Sequence, residues 1–307
     1  MTFLVAVSAQ DGAVRDDVRI PSRGEQLAAY VYRPDATGGD APCVVMAHGF
    51  SATRDDGLPG YAEAFRDAGF VVVLFDYRHF GASTGEPRQL LDIARQHDDY
   101  RAVIGWARGL DGVDPERIVV WGSSFSGGHV LAIAAADPRI AAVISQAPHT
   151  DSIPTLMLVP PRNIARLLVA GLRDQLGAWL GRPPRLVAAA GDPGTLAAMT
   201  APEAKPGFAA LVGPNSKWRN AFAARLMLTF GFYRPGLKTK RLKMPLLMCV
   251  CDNDATTPVE PAVKAAERAP RAELRHYPYG HFDIYHDPQV KADQVAFLHR
   301  TVQEVPA

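Results

Sequence analysis

The sequence predicts an α/β fold with a mostly parallel central sheet and helices on both of its faces. Three observations support this prediction. Short apolar runs of strand length alternate with helical stretches from Cys43 onward. A serine lies in a glycine-rich turn between an apolar strand and an alanine-rich helix. Acidic and histidine residues follow the last two strands, where the carboxyl ends of parallel strands gather functional groups.

The elements follow from hydrophobic periodicity and from the turn residues between the apolar runs. Two antiparallel strands are expected within residues 14–33, before the regular alternation begins. The next predicted elements are strand 43–47, helix 58–68, strand 71–75, helix 92–109, strand 118–121, helix 125–136 and strand 140–145. The last ones are strand 245–251, helix 261–269 and strand 273–277.

The alternation stops after Ile144, and the next strand begins only near Leu246. Connections in this class of fold are usually only a few residues long. Residues 150–238 are therefore predicted to form a mainly helical insertion, a lid over the serine. The core is then divided into a first part, residues 1–149, and a second part, residues 239–307.

Two sets of apolar residues repeat at helical spacing within this insertion. We expect them to pack the insertion onto the sheet, with the alternative that some of them line an apolar acyl or alcohol pocket. The two sets are Ile164, Leu167, Leu168, Leu172, Leu176 and Trp179, and Trp218, Phe222, Leu226 and Phe230.

The charge of the chain is unevenly distributed. Between Ser152 and Gly236 there are ten Lys or Arg and three Asp or Glu, a net charge of +7, while the whole chain carries +1. The remainder therefore carries −6. Three interpretations of the basic insertion stay open: a solvated basic face, steering of anionic substrates toward the site, or contact with an anionic membrane surface.

The turn after strand 118–121 predicts a nucleophile elbow with Ser124 as the nucleophile. Gly122 and Ser126 flank it at two residues' distance, and larger side chains there would collide in a turn this tight. The hydroxyl would lie beside the positive end of the following helix. The last position of the G-x-S-x-G pattern is Ser126 instead of glycine, and the alternative is an ordinary glycine-rich turn.

A serine nucleophile needs a base and a carboxylate that orients the base. Asp252 and Asp254 directly follow strand 245–251, although either could simply cap the next helix. His281 follows a glycine on the loop after the last strand and is the predicted base. His276 and His286 are its competitors.

The oxyanion of acyl transfer needs preorganised N–H donors. The residue after the nucleophile, Phe125, is one predicted donor. The second is the backbone N–H of Phe50, because strand 43–47 ends in His48, Gly49 and Phe50. We expect His48 to brace this loop by hydrogen bonding and not to act as a base.

These four parts, in this order, resemble the α/β-hydrolase superfamily. FDYRHFGASTGEP (residues 75–87) is similar to the D-x-R-G-x-G-x-S loop of that family, with His79 and Phe80 at two departing positions. GHFDIY (residues 280–285) is similar to the closing histidine motif of dienelactone-hydrolase-like and X-prolyl-peptidase-like members. The spacing of Asp254 to Pro258 resembles the D-x-x-x-P turn of the family, and this favours Asp254 over Asp252.

The resemblance implies an α/β-hydrolase fold with the insertion after strand 6, and an esterase, lysophospholipase or serine-peptidase-like hydrolase. We expect cleavage of a carboxylic ester whose acyl or alcohol part is apolar and small to medium in size. Peptidase or amidase, thioesterase, acyltransferase and low-turnover ligand binding are the alternatives.

Composition limits the partners. No C-x-x-C pair or histidine cluster suggests a metal, and we expect no cofactor. We expect a small-molecule ester or acyl substrate, no nucleic acid and no stable membrane insertion, while a homodimer stays open. Cys43, Cys249 and Cys251 on buried strands favour free thiols in the cytoplasm. Residues 2–7 are a poor signal peptide because the apolar run is short and lacks a basic flank.

Overall fold

The structure is a computed structural model of the chain, and it describes residues 15–35 and 39–303. The apolar run at residues 2–7 lies outside the described residues, as does the first residue of the predicted strand pair at 14–33.

Strands and helices alternate as the apolar pattern predicts, and most bounds differ by only one or two residues from those expected. The largest difference is the strand before the serine, which begins five residues early. In chain order the elements are β1 (Asp16–Ser22), β2 (Glu25–Tyr32), β3 (Ala41–Ala47), α1 (Pro59–Asp67), β4 (Val71–Phe75), α2 (Ile93–Ala107), β5 (Val113–Ser123), α3 (Phe125–Ala134), β6 (Ile140–Gln146), α4 (Ser152–Met157), α5 (Pro161–Trp179), β7 (Leu186–Ala190), β8 (Ala197–Met199), α6 (Ala204–Leu211), β9 (Phe222–Ala223), α7 (Met227–Phe230), β10 (Leu246–Cys251), α8 (Val259–Arg268), β11 (Ala272–Tyr277) and α9 (Pro288–Leu298).

An eight-stranded sheet forms the centre of the molecule, with strand order β1-β2-β4-β3-β5-β6-β10-β11. The pairs β1–β2 and β2–β4 are antiparallel, and the strands from β4 to β11 are parallel. Crossover connections between parallel strands place helices on the sheet faces. The predicted α/β-hydrolase fold with a mostly parallel sheet is confirmed.

Alternate residues of each central strand enter two separate cores, because side chains of a strand point to opposite faces. Val45 and Val120 belong to the core that α2, α3 and α8 cover. Met46 and Trp121 belong to the core under α1 and α9. Both faces are therefore closed to water, and the strands read as continuous apolar runs for this reason.

Residues 150–238 lie between β6 and β10, and this segment is not only helical. It contains α4 to α7 and also a small sheet with the order β8-β7-β9. The sequence prediction did not include these strands, since two of them have three residues or fewer.

The expected packing of the first apolar set onto the sheet is wrong. Of that set only Leu167 is buried, whereas Leu168, Leu172, Leu176 and Trp179 are exposed to solvent. The set therefore spans two sides of α5: Leu167 points to the core, and these four point to solvent.

The second apolar set does not form one helix. Phe222 lies in β9, Leu226 in a short 3₁₀ turn and Phe230 in α7, and all three are buried. Trp218 precedes them in an irregular segment and is partly buried. This set packs as expected, although its spacing is only coincidentally helical.

Among the residues that the structure describes, no helix is both long enough and apolar enough to cross a membrane.

The tight junction between β5 and α3 makes Gly122 a sensitive position. A Cβ atom there would lie 2.3 Å from the Ser126 carbonyl oxygen, so backbone would have to move. We expect Gly122→Ala to lower the free energy of unfolding by about 3 kcal/mol. Gly105, exposed within α2, has open space around it, and Gly105→Ala should raise stability by about 0.5–1 kcal/mol. Urea unfolding of both variants checks this, and an equal effect of the two would contradict it.

Candidate active site

Ser124 occupies a strained backbone position between β5 and α3. Its φ is +57° and its ψ is −120°, a conformation that non-glycine residues rarely adopt. Two backbone bonds hold it there: its N–H donates to the Gln146 carbonyl at 2.9 Å, and its carbonyl accepts from the His149 N–H at 2.9 Å. Ser126, the departing position of the motif, is fully buried and its hydroxyl lies 2.9 Å from the Tyr77 hydroxyl. A serine is therefore accommodated where the family pattern has glycine.

His281 lies between Ser124 and Asp254. Its Nε2 is 2.9 Å from the Ser124 Oγ, and its Nδ1 is 2.6 Å from the Asp254 Oδ2. Because the ionised carboxylate can only accept, Nδ1 carries the proton and Nε2 is left to accept the serine hydroxyl. The three residues come from the ends of β5, β10 and β11, which the parallel sheet brings to one edge.

The Asp254 carboxylate is held by the loop before α8. It accepts the N–H groups of Thr256 and Thr257 at 2.8 and 2.7 Å, and the Thr257 hydroxyl at 2.8 Å. Burial raises the pKa of Asp254, but the adjacent His281 and the donors of Thr257 outweigh burial and lower that pKa below its usual value. The carboxylate thus stays ionised beside the imidazole.

The competing residues lie elsewhere. The Asp252 carboxylate contacts the Nδ1 of His276 at 2.6 Å, and about half of each side chain is exposed (46% and 48%). His286 is also exposed. The structure therefore brings Asp254 and His281, and neither alternative pair, to the serine.

Two backbone N–H groups lie near the serine, one in the loop after β3 and one at the start of α3. A Cβ on Gly49 would lie 3.0 Å from the Ser124 Cβ, so the loop that carries Phe50 passes directly beside the nucleophile. Phe125 begins α3, where N–H groups have no partner within the helix. Among the described residues neither the Phe50 nor the Phe125 N–H donates a hydrogen bond.

His48 sits beneath this loop. Its Nδ1 lies 3.0 Å from the Gly49 carbonyl, and its Nε2 accepts the Tyr77 N–H at 3.4 Å. Burial lowers the pKa of His48 to about 4, so the ring is neutral. These contacts agree with the expected bracing role.

The family-like loop at residues 75–87 supports the same edge of the sheet. The Asp76 carboxylate accepts the N–H groups of Arg54 and Ala82 at 2.7 and 2.8 Å. Gly81 has a φ of +51°, and a Cβ there would overlap this carboxylate. His79, a departing position, also has a positive φ of 71°. The turn thus forms despite the substitution.

A pocket opens beside Ser124 and encloses about 560 Å³, part of it open to solvent. Its walls come from the core and from the insertion, and they are mostly apolar. They comprise Phe50, Ser124, Phe125, His149, Thr155, Leu156, Val159, Leu167, Ala198, Met199, Met227, Phe230, Thr256 and Thr257. The alternative expectation, that some apolar residues of the insertion line a pocket, holds for Leu167 and Phe230.

A buried polar cluster behind Phe125 was not anticipated from the sequence. The Tyr233 hydroxyl donates to the His129 Nδ1 at 2.6 Å, and the His129 Nε2–H donates to the Gln96 Oε1 at 2.9 Å. The His97 Nε2–H donates to the Tyr233 oxygen at 3.2 Å. This cluster links the insertion, through Tyr233, to the helix that follows the nucleophile.

His149 was also missed. It lines the pocket, stacks on Tyr233 with ring planes 7° apart, and its Nε2 lies 2.8 Å from the Ser152 Oγ. Its position three residues after the end of β6 is the signal that could have selected it. Similarly, His129 lies one helical turn after Phe125.

Within residues 15–35 and 39–303 there is no group of three or more metal-ligating side chains. Cys43, Cys249 and Cys251 are free and buried.

Comparisons with known proteins agree with this architecture. A family model described as X-Pro dipeptidyl-peptidase (S15 family) matches residues 23–159. The quorum-quenching protein AidA of Acinetobacter baumannii (strain MDR-ZJ06) is 45% identical over 289 residues, which are 93% of this chain and 95% of that protein. The polyketide transferase ATR5 of Stachybotrys chlorohalonatus (strain IBT 40285) is 35% identical over 181 residues, covering 59% of this chain and 58% of its own length.

Among solved structures, the alpha/beta hydrolase GrgF from Penicillium sp. sh18 is similar, with a TM-score of 0.82 at 25% identity. The match covers 94% of this chain and 99% of that one.

The two aspartates after β10 make a matched pair for testing. Asp254→Asn removes the charge that stabilises the histidine cation and favours the wrong ring tautomer, so ester turnover should fall about 10⁴-fold. Asp252→Asn touches only the surface His276 and should change turnover less than threefold, a bound set by roughly 0.6 kcal/mol. Steady-state kinetics of both variants give the answer, and comparable losses would refute the choice of Asp254.

The buried histidines predict sensitivity to acid. Burial lowers the pKa of His48, His97 and His149 to about 4 each, from an ordinary value of 6.5. A group whose pKa is lowered by folding contributes its stability above pH 6.5 and loses it as the pH falls toward 4. The loss is at most about 1.4 kcal/mol per pH unit for each group.

Urea unfolding at pH 7.5 and pH 5.5 measures this loss. His97→Gln should reduce the difference between the two pH values, and the exposed His286→Gln should leave it unchanged. An identical difference in wild type and His97→Gln would contradict the assignment.

Proposed function

The chain belongs to the α/β-hydrolase superfamily, and on that basis we propose that it is a serine hydrolase that cleaves carboxylic esters. The observation that carries the proposal is the hydrogen-bonded series Asp254–His281–Ser124, which ends at the mouth of an apolar pocket. A hydroxyl aligned on a neutral imidazole is the arrangement that makes serine nucleophilic.

In the proposed mechanism the Ser124 Oγ attacks the ester carbonyl while the His281 Nε2 takes its proton. Asp254 holds the ring through Nδ1 and stabilises the cation that forms. The N–H groups of Phe50 and Phe125 bind the oxyanion, and each such donor contributes about 3–4 kcal/mol in measured enzymes. The leaving alcohol takes the proton from His281.

Water then completes the reaction by the same route. It attacks the acyl-enzyme as His281 removes one of its protons, and the released proton returns to the Ser124 oxygen. The carboxylic acid product leaves, and the hydroxyl is restored.

The pocket favours an apolar acyl or alcohol part of small to medium size. Ring contacts between Phe125 and Phe50 at 5.6 Å and between Phe125 and Phe230 at 6.1 Å give its wall an aromatic surface. Apolar walls bind a hydrocarbon part and exclude bulk water, which strengthens the charge interactions at the serine. We further propose that the free cysteines belong to a reducing, cytoplasmic setting.

A second candidate function rests on the 45% identity to a quorum-quenching protein over nearly the whole chain. A small bacterial signalling molecule with an ester or lactone group would be cleaved by the same chemistry, since a lactone is a cyclic ester. The polyketide transferase similarity keeps acyl transfer as an alternative, in which an alcohol replaces water at the acyl-enzyme. Amide and thioester substrates stay alternatives as well.

A panel of p-nitrophenyl esters of graded chain length tests the first function, and acyl lactones test the second. Ser124→Ala should lower ester turnover by about 10⁴-fold or more while leaving thermal stability nearly unchanged. Ser123→Ala is the matched control, because the hydroxyl of this buried neighbour bonds Gln146 at 3.3 Å and Tyr285 rather than His281.

A fluorophosphonate probe gives an independent readout, because it reacts only with an activated serine. Peptide mapping should find the label on Ser124 in wild type and no label in Ser124→Ala. If turnover survives Ser124→Ala, or the label maps to another serine, the proposed nucleophile is wrong.

A further inference from the structure

Exposed apolar surface is concentrated in the insertion. Among the described residues, the large apolar side chains that face solvent all lie between Ile153 and Leu237. Several are almost fully exposed, with relative exposures of 81% for Met157, 73% for Trp179 and 85% for Phe232. Clustered apolar exposure of this kind marks an interaction surface.

The surface of helix α5 has three sides: a buried side, an exposed apolar stripe and a row of arginines. Leu167 and Asp174 belong to the buried side. On the opposite side Leu168, Leu172 and Leu176 follow at four-residue spacing and Trp179 comes next, so they form one exposed apolar stripe. We call this stripe and the arginines beside it, described next, the α5 face.

The arginines Arg162, Arg166 and Arg173 run along one flank of the stripe, again at helical spacing. None of them has a carboxylate partner within the part of the chain that the structure describes; Arg166 donates to the Gly194 carbonyl at 3.2 Å. Together with Arg185 they line a single surface depression, whose other lining residues are apolar. Guanidinium groups that line one depression and lack carboxylate partners fit anionic oxygen atoms such as those of phosphate.

We propose that the α5 face binds the surface of an anionic phospholipid bilayer, with α5 lying in the plane of the interface. Such a surface offers acyl chains to the stripe and phosphate groups to the arginines. A tryptophan at the edge of an apolar stripe is typical of helices that lie at the membrane–water interface. The interaction is peripheral, so it agrees with the expectation of no stable insertion into the membrane.

A second copy of the chain fits this face less well. The single acidic residue of α5, Asp174, is buried and bound to Arg225 at 2.7 Å. Contact between two α5 faces would therefore bury arginines without carboxylates. The remainder of another copy carries −6, but among the described residues it exposes a single large apolar side chain, Leu237, which cannot cover a stripe of four. An anionic amphiphilic surface supplies both what the stripe needs, apolar contact, and what the arginines need, anionic groups.

The α5 face also lies close to the proposed reaction site. Leu167 of α5 and Leu156 of α4 line the pocket, while Leu168 and Met157, their neighbours in sequence, are exposed. One helix, about 10 Å in diameter, thus separates the pocket from a bound bilayer. An apolar ester dissolved in the membrane would have a short path to Ser124.

Co-sedimentation with vesicles tests the charged part of the proposal. We expect the full chain to bind phosphatidylcholine vesicles that contain phosphatidylglycerol far better than phosphatidylcholine alone, and to be released by high salt. Arg166→Gln/Arg173→Gln should lower the partition coefficient about thirtyfold. The control Arg101→Gln/Arg139→Gln removes the same charge from two exposed arginines outside the insertion. It should bind vesicles as the wild type does.

Two further variants test the apolar part. Leu172→Ser shortens an exposed side chain and should weaken vesicle binding without lowering the melting temperature. The fluorescence of Trp179 should shift to shorter wavelength on anionic vesicles, and Trp179→Phe should abolish that shift. Hydrolysis of a short soluble ester by all these variants should equal that of wild type, because none of the residues belongs to the proposed reaction site.

Three results would overturn the proposal. The first is the absence of binding to anionic vesicles. The second is an equal loss of binding in the α5 and control arginine pairs, which would indicate unspecific charge attraction. The third is a dimer in size-exclusion chromatography that Leu172→Ser dissociates, with no vesicle binding, because the α5 face would then be a contact between copies. Vesicle binding is measured without turnover, so failure of the proposed hydrolase function would not affect the result.

Discussion

The tight turn at Ser124 is the constraint on which the site depends. A positive φ at a non-glycine residue persists only where its surroundings determine it completely. Here the Ser124 N–H is bonded to Gln146 and its carbonyl to His149, so the end of β6 holds the turn from below. Gly122 allows the start of α3 to approach the strand, and Gly49 allows the oxyanion loop to touch the serine. The packing of three parallel strands thus maintains the strain that exposes the hydroxyl.

The features that could be predicted from sequence are short motifs at the ends of strands, which the parallel sheet brings to one edge. Ser124 can be predicted as the nucleophile because a strand, a glycine-rich turn and a helix follow one another within a few residues. Asp254 and His281 are visible because each follows an apolar strand, and parallel strands end at one edge. The choice between Asp252 and Asp254 needed a family pattern, since both follow the same strand. Structure separates them by loop direction: one turns inward to His281, the other outward to His276.

Features that combine distant segments could not be predicted. His97, His129 and Tyr233 are far apart in sequence, and no spacing rule brings a buried imidazole to a tyrosine of the insertion. The prediction that the apolar residues of α5 pack onto the sheet failed for a different reason. Periodicity shows that residues share a face, but not whether that face meets the core or solvent. Leu167 and Leu168 are adjacent in sequence and lie on opposite sides of that boundary.

An apolar stripe on an outer face is unfavourable for a helix in water. Its presence on α5 therefore indicates a binding partner that covers the stripe. Outside residues 150–238, none of the described large apolar side chains is exposed, so the stripe is an exception within this chain. The exception coincides with the region of highest positive charge and with the wall of the pocket. Apolar substrates partition into membranes because water disfavours apolar surface, and the same effect would bring this stripe to a membrane. In our proposal the insertion therefore uses apolar side chains in two ways: the inner ones line the pocket, and the outer ones hold the pocket at a membrane in which apolar esters dissolve.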